Sequence, residues 1–272
     1  MLSNKTRLAV LDMNNNVPNQ GLRCIVELIQ NFEEEIDYEV FDVRGKNEIP
    51  DTSFDIYISS GGPGSPLEDA AWRKPYLKLM QNLWDLNATL SYNKKHVFFI
   101  CFSYQVICDY FEVGKIKPRR STSFGILKVH KTPKGKHDLI LNGLPDPYFA
   151  VDSRDFQLIQ PNLKVFKQHG ASILSREKIR THVELERAIM AVRFSDEFVG
   201  TQFHPEAEPV SMEAYFRLEE NRTKVISSFG EEKYEQMMKR VNQPKKLVKT
   251  YNTILPNFIK NALKHQLVEE KI

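Results

Sequence analysis

The segment HVFFICFSYQ (residues 96–105) is the stretch that decides the fold class. Its first half is a continuous apolar run, which is typical of a strand covered on both faces of a parallel sheet. The residues that follow, 102–111, have helical spacing, so the chain is expected to pass from a strand directly into a helix. Cys101 lies at that junction. The segment predicts a strand–turn–helix unit with a thiol at the carboxyl end of the strand.

The sequence before this segment alternates in the same way between short apolar runs and amphipathic stretches. Strands are expected at residues 7–13, 38–43 and 54–59, and helices at about 20–32 and 67–93. Such alternation predicts an α/β protein, with an open, mostly parallel sheet and helices on both faces.

The rest of the chain has a different pattern. Short β-like pieces dominate from about 115 to 205, including DLILN (138–142), and charged amphipathic segments follow Pro209. We therefore predict an α/β domain over residues 1–208. Residues 209–272 are expected to form a C-terminal helical extension that packs on the domain or on a partner.

Composition limits the classes of function. The net charge of +3 is too small to indicate nucleic-acid binding, and the basic cluster KIKPRR (115–120) is interpreted as a solvated loop. No apolar run approaches the roughly 18–20 residues that span a bilayer, and the N-terminus resembles a first strand more than a signal peptide. Three cysteines make an odd and sparse set, which favours a reducing, cytoplasmic setting over a disulfide framework.

Cys101 is the first candidate for chemistry. At the N-terminus of a helix a thiolate is favoured, and the backbone N–H of Phe102 is positioned to bind an oxyanion. A single buried cysteine is more often a packing residue, and Cys24 and Cys108 are interpreted in that way. His204 strengthens the case for Cys101, because GTQFHPE puts this histidine directly after another predicted strand. Glu206 can accept a hydrogen bond from its ring, which completes a Cys-His-Glu triad.

The loop SSGGPGSP (59–66) follows a third predicted strand and has unobstructed backbone N–H groups at its glycines. It lacks the GxxxxGK[ST] pattern of a nucleotide phosphate loop. A pyrophosphatase loop would need an aspartate at Gly64. An oxyanion hole for acyl chemistry is therefore the preferred interpretation.

Together, ISSGGPGSP, FFICFSYQ and GTQFHPE resemble the class I glutamine amidotransferases in order and spacing, over roughly residues 6–208. The resemblance implies a flavodoxin-like amidotransferase fold. No cofactor is expected, and no metal site is expected either, because the histidines lack metal-ligand spacing. It also implies that Cys101 attacks the glutamine amide to form a γ-glutamyl thioester, while His204 transfers protons and Glu206 orients His204. The backbone N–H groups of Gly62 and Phe102 would hold the oxyanion. The residues expected to contact substrate are Gly64, Gln105 and Ser153.

Three positions depart from the family pattern Gly-x-Cys-x-Gly-x-Gln and from its substrate-contacting segment. Phe99 and Ser103 replace the two glycines, and Asp155 replaces a glycine near the expected substrate carboxylate. Phe99 must be accommodated by neighbouring packing. At Ser103, a Cβ atom would disfavour any left-handed backbone.

Three functions stay open on the sequence. The first is a glutamine amidotransferase or glutaminase that releases ammonia to a synthase or synthetase on another chain, since no nucleotide motif follows Glu206. The second is a γ-glutamyl hydrolase of small compounds, with the same triad. The third is a non-catalytic regulatory subunit with a relic triad. A homo-oligomer also stays open.

Overall fold

The computed structural model describes residues 5–17, 20–179, 186–241 and 244–267. In these ranges nine strands form one mixed sheet: β1 (Thr6–Asp12), β2 (Ile36–Asp42), β3 (Ile56–Ser59), β4 (His96–Ile100), β5 (Lys115–Lys131), β6 (Tyr148–Ile159), β7 (Ser172–Glu177), β8 (Ile189–Arg193) and β9 (Phe198–Thr201). The α-helices in the same ranges are α1 (Gln20–Gln30), α2 (Val43–Lys46), α3 (Arg73–Thr89), α4 (Phe102–Tyr110), α5 (Leu163–His169), α6 (Pro209–Arg217), α7 (Glu219–Phe229), α8 (Glu231–Val241), α9 (Pro244–Tyr251) and α10 (Ile254–Leu267).

The sheet has two halves that differ in strand direction. Its order is β2-β1-β3-β4-β9-β8-β7-β5-β6. The first five strands in this order pair in parallel, and every pairing from β9 onward is antiparallel. The carboxyl ends of β1, β3, β4 and β9 therefore share one edge, where ligands bind in sheets of this kind.

Helices cover both faces of the parallel half. On one face, α1 and α10 pack on alternate residues of the strands, such as Val10, Ile58 and Phe98. On the other face, α3 and α4 pack on the intervening residues, such as Tyr57 and Phe99. The α/β architecture expected from the sequence is confirmed.

The helices after residue 208 pack in two different places. Helices α6 to α9 form a separate apolar cluster with β5 and β6, to which Ile126, Val151, Phe216 and Met237 belong. Helix α10 instead joins the core of the sheet through Phe258 and Ile259. The division of the chain after residue 208 stays a prediction.

The predicted β-like piece DLILN is wrong as a strand. Leu139–Leu141 form a 3-10 turn instead, which begins at Asp138. The carboxylate of Asp138 accepts a hydrogen bond from the Ile140 N–H at 3.0 Å, so a local side-chain cap competes successfully with strand pairing.

None of the helices within the described ranges is long and apolar enough to cross a membrane.

Phe99 fits into the sheet because a glycine lies beside it. Its partner on β9 is Gly200, and its ring packs edge-on against Phe194. A Cβ atom at Gly200 would lie 3.0 Å from the Phe99 Cβ and 2.9 Å from Cδ2 of Tyr104. The Phe99 side chain is thus accommodated because its neighbour on the paired strand has no side chain.

Gly200→Ala should therefore lower the free energy of unfolding by about 1–3 kcal/mol, because the added methyl group overpacks the core. Urea denaturation measures the loss. In a Phe99→Gly background the Cβ that lies 3.0 Å from the added methyl group is absent, so the cost should become smaller. Equal costs in the two backgrounds would contradict the coupling.

Candidate active site

Cys101 forms a sharp turn between β4 and α4. Its φ is +49°, in the left-handed region, which costs a residue with a Cβ about 1–2 kcal/mol. Its N–H donates to the Thr201 carbonyl at 2.8 Å, and its side chain is 5% exposed. The strain is thus located at the thiol itself, which is held at the edge where β4 and β9 end.

Ser103 stabilises this turn. Its Oγ accepts a hydrogen bond from the Ile100 N–H at 2.9 Å and donates to the Ser59 carbonyl at 2.8 Å. Ser103 lies in the helix α4, and its φ is not positive. The left-handed residue is Cys101, so the Cβ of Ser103 meets no backbone strain. The missing glycine is replaced by a side chain that links β3 to β4.

His204 and Glu206 follow β9. His204 Nδ1 and Glu206 Oε1 are 2.8 Å apart, and Glu206 is 1% exposed. The His204 N–H donates to the Val151 carbonyl at 2.9 Å, which ties this segment to β6. A hydrogen bond from Nδ1–H to the carboxylate leaves Nε2 as the nitrogen that can exchange a proton.

The His204 ring is strongly perturbed. Burial acts to lower its pKa, but the Glu206 carboxylate and then Cys101 outweigh burial, and the pKa of His204 is raised well above 6.5. The His204 ring therefore favours the imidazolium form, next to the Glu206 carboxylate and the Cys101 sulfur.

The glycine loop contacts both His204 and Cys101. A Cβ atom at Gly61 would lie 2.7 Å from Cε1 of His204 and 3.5 Å from the Cys101 Cβ, so only glycine fits there. One residue on, a Cβ at Gly62 would lie 2.0 Å from the Met13 carbonyl oxygen. The N–H groups of Gly62 and Phe102 donate to no acceptor within the described part of the chain. They are available to a ligand oxygen.

Gln105 and Gln202 form a short chain that ends at the sulfur. Nε2 of Gln105 donates to the Phe156 carbonyl at 3.1 Å and to Oε1 of Gln202 at 2.9 Å. Nε2 of Gln202 in turn lies 3.8 Å from the Cys101 Sγ. Gln202 was not predicted from the sequence, although it stands within the GTQFHPE segment. It lies directly after β9, and its place in that segment is the signal that could have identified it.

Ser153 meets the site through its backbone. Its carbonyl oxygen lies 3.5 Å from the Cys101 Sγ, while its side chain is exposed. Asp155 is also exposed, and its Oδ1 accepts a hydrogen bond from the Thr122 hydroxyl at 2.5 Å. Thr122 lies where the β5–β6 pairing shifts register between Pro118 and Ser123. The carboxylate that replaces a family glycine is thus engaged by a neighbouring strand.

The two residues that flank Ser153, Asp152 and Arg154, form a buried ion pair. The Arg154 guanidinium is 1% exposed, and its Nε donates to Asp152 Oδ2 at 2.9 Å. Burial acts to lower the pKa of Arg154, but Asp152 and Glu177 outweigh it and raise that pKa. Sequence reasoning missed this group as well, since a charged residue in an alternating strand gives no sign of facing inward.

No cluster of three or more histidine, cysteine, aspartate or glutamate side chains in the described ranges is arranged to hold a metal ion.

Comparison with known proteins gives a family and a set of similar folds. The sequence profile of the family "Glutamine amidotransferase class-I" matches residues 18–219. A search of the curated proteins finds no match.

Three solved structures illustrate the likeness of fold. A glutamine amidotransferase from Thermotoga maritima has a TM-score of 0.65 at 14% identity, with 95% of this chain and 98% of that chain covered. A glutamine amidotransferase from Methylobacillus flagellatus scores 0.62 at 14% identity, covering 94% of each. A Thermoplasma acidophilum protein assigned as a GMP synthase subunit scores 0.52 at 18% identity, covering 75% of this chain and 86% of that chain.

The role of Ser103 leads to a stability prediction. Ser103→Ala should lower the free energy of unfolding by about 1–3 kcal/mol, because the buried Ile100 N–H and Ser59 carbonyl lose their shared partner. The exposed Ser91→Ala is the control and should change it by less than about 0.5 kcal/mol. Urea denaturation of both variants makes the comparison, and equal effects would refute the proposed link.

The charge at His204 leads to a second prediction. In Glu206→Gln its pKa should fall, because burial then acts without the opposing carboxylate. NMR titration of the imidazole measures this, with Glu208→Gln as a control that should leave the pKa nearly unchanged. Since the folded-state pKa is raised, the stabilisation is complete below about pH 6.5 and is lost as pH rises through the folded-state pKa. An unchanged pKa in Glu206→Gln would exclude the pairing.

Proposed function

The chain belongs to the class I glutamine amidotransferases, and on that premise we propose that it hydrolyses the side-chain amide of glutamine with Cys101 as nucleophile. One observation carries the proposal: Cys101 and His204 follow the paired strands β4 and β9, and the Glu206 carboxylate lies 2.8 Å from the His204 ring. The raised pKa of His204 supports a thiolate–imidazolium pair.

The first step is attack on the amide. The Cys101 thiolate adds to the carbonyl carbon, and the carbonyl π electrons move to oxygen. The N–H groups of Gly62 and Phe102 donate to this oxyanion, and one such donor contributes on the order of 10²–10³ in rate. Because neither N–H donates to a group in the described part of the protein, no existing hydrogen bond has to break before the oxyanion is bound.

The second step releases ammonia. The His204 imidazolium donates a proton to the leaving nitrogen, the C–N bond breaks, and a γ-glutamyl thioester remains on Cys101. Neutral His204 then accepts a proton from water as the water oxygen adds to the thioester. The C–S bond breaks, and glutamate leaves as the thiolate–imidazolium pair is restored.

Substrate recognition is proposed for Gly64, Gln105 and Ser153. Gly64 has a φ of +95°, and a Cβ there would approach the Arg44 and Glu68 side chains. Both hydrogens of the Gln105 amide are engaged by protein groups, so its Oε1 is the atom it can offer to a ligand. The Ser153 side chain is exposed, and the carbonyl oxygen of the same residue lies 3.5 Å from the Cys101 sulfur.

The ammonia is proposed to pass to a synthase or synthetase on another chain. The Thermoplasma acidophilum relative is assigned as one subunit of such an enzyme. The helices α6 to α9 begin directly after the triad segment and pack on β5 and β6. They are the part of the proposed C-terminal extension that would face the partner.

Labelling and turnover test the function. Incubation with a diazo-ketone analogue of glutamine should add its mass, less N₂, to Cys101, and glutamine should release ammonia. Cys101→Ser should abolish labelling, because the thiolate is the nucleophile. His204→Ala should abolish measurable turnover.

The remaining outcomes separate the alternatives. Labelling without release of ammonia from glutamine, together with cleavage of small γ-glutamyl compounds, would assign a γ-glutamyl hydrolase. A folded protein that shows neither labelling nor turnover would refute catalysis and leave the alternative of a regulatory subunit.

A further inference from the structure

Arg44 is a buried cation beside the candidate site. It lies in the short helix α2, directly after β2, and its side chain is 4% exposed. Nη1 donates to the Met13 carbonyl at 2.9 Å and to the Pro63 carbonyl at 2.7 Å. Nη2 donates to Glu68 Oε1 at 2.8 Å. One guanidinium thus joins the segment after β1 to both sides of the glycine loop.

The same guanidinium packs on α4. Its central carbon lies 4.3 Å from the ring centroid of Phe102, and that ring is almost wholly buried. It also lies 5.5 Å from the ring of Trp72. A buried cation over an aromatic face is attracted to it, and the planar guanidinium can do this while its edge donates hydrogen bonds.

These contacts surround two backbone N–H groups, those of Gly62 and Phe102. Arg44 bonds the carbonyl of Pro63, the residue after Gly62, and stacks on the side chain of Phe102. A Cβ at Gly62 would lie 3.1 Å from Nη1, so the guanidinium is in contact with that residue too. Gly62 has no side chain through which packing could fix its N–H. A donor bonded to the carbonyl of the next residue, Pro63, supplies that constraint.

We propose that Arg44 is the positioning residue of the oxyanion hole: it fixes the N–H groups of Gly62 and Phe102 relative to each other and to the Cys101 sulfur. This rests on the proposed function, because the donors matter only if an oxyanion forms. Misplacement of donors by about 1 Å reduces rates by up to roughly 10²-fold.

Arg44→Met is the informative variant. It keeps most of the side-chain volume and removes the charge and all the hydrogen bonds. The kcat for glutamine hydrolysis should fall roughly 10–100-fold, with KM within about twofold, because the contribution is made in the transition state. Arg44→Lys should recover only a small part of kcat, since an ammonium has no planar face to stack on Phe102 and lacks the fork of donors that reaches Glu68 as well as the two carbonyls.

Alkylation of Cys101 by iodoacetamide separates positioning from general damage. That reaction displaces iodide from a methylene carbon and forms no oxyanion. Its rate should stay within about twofold of wild type in Arg44→Met if the thiolate–imidazolium pair is intact.

Arg193→Met is the matched control. Arg193 also bonds a carboxylate and a backbone carbonyl, at Asp138 and Asp196, but at the opposite edge of the sheet. It should leave kcat within about twofold. A similar fall in kcat for Arg193→Met, a parallel fall in alkylation rate for Arg44→Met, or an unchanged kcat in Arg44→Met would each overturn the proposal.

Hydrogen exchange keeps the two proposals distinguishable. In Arg44→Met, peptides that cover residues 60–68 should exchange at least tenfold faster than in wild type, and in Arg193→Met they should not. If wild-type protein releases no ammonia from glutamine, the proposed function fails, and this exchange result alone decides whether Arg44 braces the loop. Unchanged exchange would refute the role of Arg44 whatever the activity.

Discussion

The hydrogen bond from the Cys101 N–H to the Thr201 carbonyl, at 2.8 Å, extends the parallel pairing of β4 and β9 by one residue. The rest of the site depends on that pairing. Because parallel strands end at one edge, a residue that follows β4 meets one that follows β9 despite their distance in the sequence. The same edge receives the glycine loop from β3. The antiparallel half contributes from the side, where the Val151 carbonyl accepts the His204 N–H.

Around this pairing, the conformational strain is confined to one residue. Cys101 adopts a left-handed backbone, and the groups on either side are bonded in ways that hold it there. Ser103 bonds Ile100 and Ser59, while Gln202, which follows β9, approaches the sulfur. A strained turn persists only when its surroundings determine it, and here strands β3, β4 and β9 all do so.

The sequence predicts well whatever is local. The strand–helix unit at 96–111, the glycine loop and the GTQFHPE segment are each contiguous, so apolar periodicity and residue type were enough to locate them. The α/β sheet is confirmed for the same reason. At DLILN the prediction was wrong, because a capping aspartate decided between two conformations of similar apolar pattern.

What could not be predicted depends on contacts between distant residues. Phe99 is tolerated because Gly200 lies opposite it on another strand. Ser103 avoids strain because the left-handed residue is Cys101. The inward orientation of Arg44 follows from where β2 ends relative to the glycine loop, and no local pattern distinguishes it from the neighbouring surface cation Lys46.

Helix α10 has a consequence for the order in which the protein can fold. Ile254, Leu255, Phe258 and Ile259 are at most 3% exposed and share a core with Leu8 and Val10 of β1. Among the described residues, the first strand and the last helix thus cover the same apolar face. Until residue 259 has been synthesised, that face lacks part of its cover, so closure of the sheet depends on contacts between residues about 250 positions apart and is late.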